Sequence, residues 1–158
     1  MNCTSPEQIQ LRLPHWEVKE VKVINSKYLF TVEYNNKLKP EICPKCASTN
    51  LVRNGPRTVT FFDKPYNRIP TCLRIRRQRY LCRECGNSFK QELPDISEKR
   101  LATNRFVEYV EAECQEKGPR LVSRSSGASI NTIRNIFLEH TSKIEADCPA
   151  LYNRPYAE

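Results

Sequence analysis

Two Cys-x-x-C pairs, Cys43-Pro-Lys-Cys46 and Cys82-Arg-Glu-Cys85, constrain this chain more than any other feature. A two-residue spacer lets both sulfurs of a pair turn toward one ion at about 2.3 Å, and two such turns facing each other complete a closed four-thiolate cage. The expected ligands are therefore Cys43, Cys46, Cys82 and Cys85, and the expected ion is Zn2+. Gly86 follows the second pair and Ala47 the first. A positive φ is often required beside the last ligand of such a turn, and glycine supplies it without strain. Thirty-five residues separate Cys46 from Cys82, enough for a β-hairpin between the two metal-binding turns.

Two disulfides and a redox-active Cys-x-x-Cys compete with this reading. Residues 1–10 contain no apolar run, so the reducing cytosol is the expected compartment and disulfides are disfavoured. A thioredoxin-like motif would open a helix in a strand-helix-strand unit and would need no second matched pair. Cys3, Cys72, Cys114 and Cys148 are scattered singly and are expected as packed thiols rather than ligands.

Charge adds a second constraint. The chain carries a net +8, unevenly divided: six basic against five acidic residues in 1–42, eleven against three in 43–92, and nine against ten in 93–158. An excess concentrated on the cysteine segment points to a surface for a polyanion. No apolar run approaches the ~20 residues of a membrane span.

Residues 15–34 place β-rich segments on either side of Asn25-Ser26-Lys27, which predicts a hairpin with Trp16, Phe30 or Leu29, and Val32 packing inward. The spacing of Val18, Val21 and Val23 departs from strict alternation and allows a bulge. Between the metal turns, Thr58–Phe62 and Thr71–Tyr80 predict a second hairpin. Leu73 and Ile75 alternate there with Arg74 and Arg76, while Arg77, Arg79 and Arg83 extend a basic stripe. A solvated strand face is the plain explanation; so many arginines nearly unopposed by carboxylates favour phosphate contact.

After Leu93-Pro94 the period becomes helical. Thr103 can cap a helix carrying Phe106, Val107, Val110 and Cys114 on one face, which Gly118 ends and Pro119 restarts. Ser123, Gly127, the cap Ser129 and the anchors Ile133 and Ile136 then have helix-turn-helix spacing. The alternative is a generic helical hairpin. Asn131, Thr132, Arg134 and Asn135 form the outward face, and Arg and Asn can make bidentate bonds to guanine and adenine edges.

The hairpin, the basic segment Leu73-Arg-Ile-Arg-Arg-Gln-Arg-Tyr-Leu-Cys-Arg-Glu-Cys85 and the helix-turn-helix spacing together resemble the amino-terminal region of insertion-sequence transposases of the ISL-three type. The resemblance spans about residues 15–145 and is most specific over 43–94. It implies recognition of element-end DNA. In that family a ribonuclease-H-like domain with acidic metal ligands follows, whereas only Glu145, Asp147 and Glu158 follow here. Strand transfer by this chain alone is not expected, and no catalytic residue is assigned.

The expected architecture is thus α+β: an N-terminal β-hairpin and four-cysteine zinc ribbon (1–94), an all-α helix-turn-helix module (95–148) and a tail (149–158). The expected function is zinc-dependent, sequence-specific binding of double-stranded DNA, without enzymatic activity, as a transcriptional regulator or accessory factor of a mobile element in the cytoplasm and nucleoid. A homodimer or a protein partner is compatible with it. The alternative is a transposase-derived zinc-ribbon adaptor or inhibitor that binds another protein.

Overall fold

The computed structural model describes residues 11–34 and 39–147; Cys3, Cys148 and the expected tail lie outside them. Its centre is one mixed sheet of seven strands. Strands β1 (Trp16–Ile24) and β2 (Lys27–Tyr34) form the first hairpin, and β3 (Leu51–Tyr66) and β4 (Ile69–Cys82) the second. Both hairpins turn on two residues of positive φ, Asn25-Ser26 and Asn67-Arg68, the conformation that matches the right-handed twist of the flanking strands. A register shift between Val18 and Glu20 accounts for the broken alternation of β1.

Three short strands complete the sheet. β5 (Ser88–Lys90) pairs with the end of β4, while β6 (Ile96–Ser97) and β7 (Ala102–Thr103) flank a 3-10 turn at Glu98–Arg100. The strand order is β1-β2-β4-β3-β7-β6. The hairpins are joined through β2 and β4, which run parallel from Tyr28↔Thr71 to Val32↔Ile75. That pairing aligns Phe30 with Leu73 and Val32 with Ile75. These residues, with Trp16, Phe61, Leu11, Leu93 and Ile96, form the core on one face of the sheet. Trp16 fills volume as expected, and its indole N–H donates to Asp95 at 2.9 Å.

Three helices, α1 (Asn104–Lys117), α2 (Pro119–Ser126) and α3 (Ile130–Asp147), follow. Their local signals hold. Thr103 Oγ1 accepts from the Phe106 amide at 3.2 Å, Gly118 ends α1, Pro119 opens α2, and Ser129 Oγ accepts from the Thr132 amide at 3.1 Å. Phe106, Val110, Cys114, Val122, Ile133 and Ile136 are buried together.

The expectation of an all-α helix-turn-helix module after the ribbon is overturned. Beyond the second metal turn the chain re-enters the sheet: β7 pairs with β3 at Phe62↔Ala102, and the Phe62 amide donates to Leu101 O at 2.9 Å. The helices complete their core with sheet residues. Ala102 is buried among them and Phe62 stacks on Phe106 with ring centroids 5.7 Å apart. The fully buried Asp63 carboxylate accepts from Thr103 Oγ1 at 2.7 Å and from Arg105 Nε at 2.7 Å, and also pairs with Arg105 Nη2. One helix start is thereby fixed to the end of β3. The physical reason is size: three short helices bury too little apolar surface alone, and Phe62 supplies part of what is missing.

Candidate metal centre and its basic surroundings

The two Cys-x-x-Cys turns have the same backbone. In the first, Cys43 N donates to Ser48 O at 2.8 Å and Ala47 N to Cys43 O at 2.9 Å; in the second, Cys82 N donates to Asn87 O at 2.9 Å and Gly86 N to Cys82 O at 3.0 Å. The residue after the last cysteine is left-handed in both, with φ +58° at Ala47 and +69° at Gly86. The long β3–β4 hairpin brings the turns face to face, since Leu51↔Cys82 is its last pair and Arg83 N donates to Asn50 O at 3.0 Å.

All four Sγ atoms lie within 4.8 Å of one another. Cys43 Sγ is 3.6 Å from Cys85 Sγ, and Cys46 Sγ is 3.5 Å from Cys82 Sγ. Burial pushes the Cys43 thiol up, but the amides of Cys46 and Lys45 outweigh it and bring it down to about 6. The Cys85 amide lowers Cys82 against the effect of burial. Cys46 moves the other way, to about 12: the Ser48 amide pulls it down, but desolvation and the sulfurs of Cys82, Cys85 and Cys43 push it further up. Adjacent thiolates repel, so four cannot ionise together without a cation among them. The donor set and spacing fit a tetrahedral soft-metal site. Cys72 and Cys114 are remote from this cluster, and burial pushes both thiols up.

The arginines of β4 do not form one stripe. Leu73, Ile75, Arg77 and Arg79 share the face of the apolar core, while Arg74 and Arg76 project from the other face with Cys72, opposite Thr60 and Thr58. Arg74 and Arg76 are exposed, as is Arg83 in the metal turn. Arg77 must be corrected. It is only 3% exposed, donates from Nε to Gln91 O, and pairs with Glu98. It is a structural ion pair rather than a free surface cation. Arg79 is half-buried, with Nη2 3.3 Å from Ser88 Oγ. Arg57 and Lys90 were missed by sequence reasoning, although register sets Arg57 opposite Arg77 and Lys90 opposite Arg79. Nothing short of the strand register could have found them, because β3 begins at Leu51 rather than Thr58 and β5 pairs only through β4.

On α3, Asn131, Arg134 and Asn135 are exposed and Thr132 is half-buried, its hydroxyl 2.9 Å from Ser129 Oγ. Gly127, with φ +72°, makes the turn before α3, and Ser123 Oγ donates across it to Ala128 O at 2.7 Å. The turn lies against the sheet. A Cβ on Gly127 would meet Pro70 Cβ at 3.0 Å, and Lys27 Nζ donates to Gly127 O at 3.4 Å. Phe62, Cys72 and Pro70 alternate onto the face that carries Arg74 and Arg76, so the helices occupy one end of that face.

Residues 39–85 match the family described as the zinc-finger of transposase IS204/IS1001/IS1096/IS1165. Comparison with curated proteins and with solved structures found no match for the chain. Residues 39–85 are thus a transposase-type zinc ribbon whose four cysteines are placed to hold a metal ion. No helix among the described residues is long and apolar enough to cross a membrane.

Proposed function

We propose that this chain is a zinc-dependent protein that binds double-stranded DNA with sequence preference, and that it serves a mobile element as a transcriptional regulator or accessory factor without chemistry of its own. Zn2+ held by Cys43, Cys46, Cys82 and Cys85 would fix the end of the β3–β4 hairpin and so the strand that carries the arginines. The observation that carries the reading is a shared face: the exposed side chains Arg74 and Arg76 project from the same side of the sheet against which the α2–α3 turn is packed. The exposed Asn131, Arg134 and Asn135 lie just beyond that turn, in the first turns of α3. Guanidinium groups on a rigid strand suit backbone phosphates, and Arg134 and Asn135 have the chemistry for base edges. The transposase-type ribbon supports the same partner class.

Duplex selection on the zinc-loaded protein tests this. Arg134→Ala is expected to cost about 1–3 kcal/mol on the selected site and much less on scrambled duplex. Arg74→Ala with Arg76→Ala should weaken both duplexes alike and reduce the salt slope by about 0.9 per lost contact. No duplex retained at physiological salt overturns the reading in favour of a protein-binding adaptor.

A further inference from the structure

The face of β4 turned away from Arg74 and Arg76 carries a second set of charges that the proposed DNA contact does not use. Strand alternation places Arg77 and Arg79 there, and register sets Arg57 directly opposite Arg77 and Lys90 directly opposite Arg79. The result is a staggered row of four cations across three neighbouring strands, Arg57 on β3, Arg77 and Arg79 on β4, and Lys90 on β5. Like charges directly opposite one another on a sheet are destabilising, so such a row needs a counter-charge. Among the described residues Glu98 is the one carboxylate paired with any of the four: Arg77 donates to it, and Lys90 Nζ lies 3.9 Å away. One carboxylate is thus shared by two of the cations, Arg57 and Arg79 have none among the described residues, and the four cations with Glu98 carry a net +3.

These four residues and Val59 line a cavity of about 160 Å³. Pockets for drug-sized ligands run to roughly 300–1,000 Å³, and at about 30 Å³ per water this one holds on the order of five. It is too small for a nucleobase with its sugar and suits one tetrahedral oxyanion. Its donors are partly fixed in advance. The Arg77 guanidinium is held between Gln91 O and Glu98, and Arg79 Nη2 lies against Ser88 Oγ.

We infer that Arg57, Arg79 and Lys90, arranged around the fixed Arg77, form a seat for a single phosphate group on the face of the sheet opposite the proposed DNA surface. The two more exposed guanidiniums supply paired donors and Lys90 a point charge, the combination that oxyanions favour. The seat does not involve α3. It therefore stands or falls separately from sequence recognition by Arg134.

The probe is inorganic phosphate, titrated into the full-length, zinc-loaded, ¹⁵N-labelled protein while sodium chloride is adjusted to hold ionic strength constant. Saturable shifts confined to residues 57–59, 77–79 and 88–91 are expected. Arg79→Gln and, on the other strand, Arg57→Gln should each weaken the binding by roughly tenfold, while Arg74→Gln and Arg134→Ala leave it unchanged. Retained zinc verifies that each variant is folded, and Lys90→Gln gives the same readout should Arg57→Gln unfold. A competition arm separates the two sources of phosphate. Displacement of phosphate by duplex DNA makes a backbone phosphodiester the natural occupant; phosphate binding undiminished on the DNA-saturated protein makes it a small phosphate compound. Shifts that never saturate, or an Arg74→Gln variant that weakens binding as much as Arg79→Gln does, overturn the proposal.

Discussion

Gly86 and Gly127 have almost the same left-handed φ, +69° and +72°, and each closes its turn by donating to the carbonyl four residues back, yet they sit in opposite kinds of environment. A Cβ added at Gly86 would meet nothing within 4 Å, and Ala47 already occupies the equivalent place in the other metal turn. A Cβ at Gly127 would meet Pro70 Cβ at 3.0 Å and Lys27 Cε at 3.1 Å. The metal turn is a self-contained unit of six residues, closed by its own hydrogen bonds and by the sulfurs. The helix turn depends on the sheet behind it. Local geometry is enough to build the first, whereas the second is positioned by contacts across about 60 and 100 residues of chain.

Metal removal should separate the two regions most strongly. Structural zinc contributes on the order of 10 kcal/mol in small ribbons, so chelation or Cys43→Ser should abolish hydrogen-exchange protection in residues 43–57 and 78–90. Protection in Phe106–Cys114 should survive. If both regions lose protection together, they form one cooperative unit and the contrast fails.

The converse experiment removes the helical core. Phe106 is fully buried and stacked on Phe62, and Phe106→Ala should cost about 3–5 kcal/mol. Helical circular dichroism should fall at lower denaturant while zinc stoichiometry stays at one.

The glycines give the sharpest version. Gly86→Ala should cost about 1–2 kcal/mol, the strain of a left-handed alanine. Gly127→Ala should add about 1–3 kcal/mol for the contact with Pro70 and Lys27. Matched denaturation curves measure both, and equal costs would mean that the α2–α3 turn is not seated on the sheet.

The smallest effect expected is electrostatic. The Arg77 hydrogen bond holds the Glu98 carboxyl below its ordinary value of 4.5, against the opposing effect of burial. A carboxyl depressed in the folded state stabilises above its unfolded pKa, and that stability is lost as pH falls through the folded value. Glu98 is half-exposed, so Glu98→Gln should cost about 1 kcal/mol or less at pH 7. The difference from the parent protein should shrink as pH falls below the ordinary value of 4.5 and vanish once pH is below the depressed folded value, as measured on paired stability curves.

Signals confined to a few neighbouring residues were legible in the chain itself. The Cys-x-x-Cys turns with Ala47 and Gly86, the two hairpins, the Thr103 and Ser129 caps and the inward Ile133 and Ile136 follow from bonds that each span five residues or fewer, or from one period of a helix or strand. What joins those pieces was not legible. The parallel pairing of β2 with β4, the return of β7 to β3, the insertion of Phe62 among the helices and the burial of Arg77 on Glu98 all depend on register between distant segments. An arginine run has the same composition whichever way each side chain points. Only the sheet, by giving one face to the apolar core and the other to the helices, decided that Arg74 and Arg76 stay exposed while Arg77 is buried, because a strand side chain's surroundings are set by what packs on its face rather than by its neighbours in sequence.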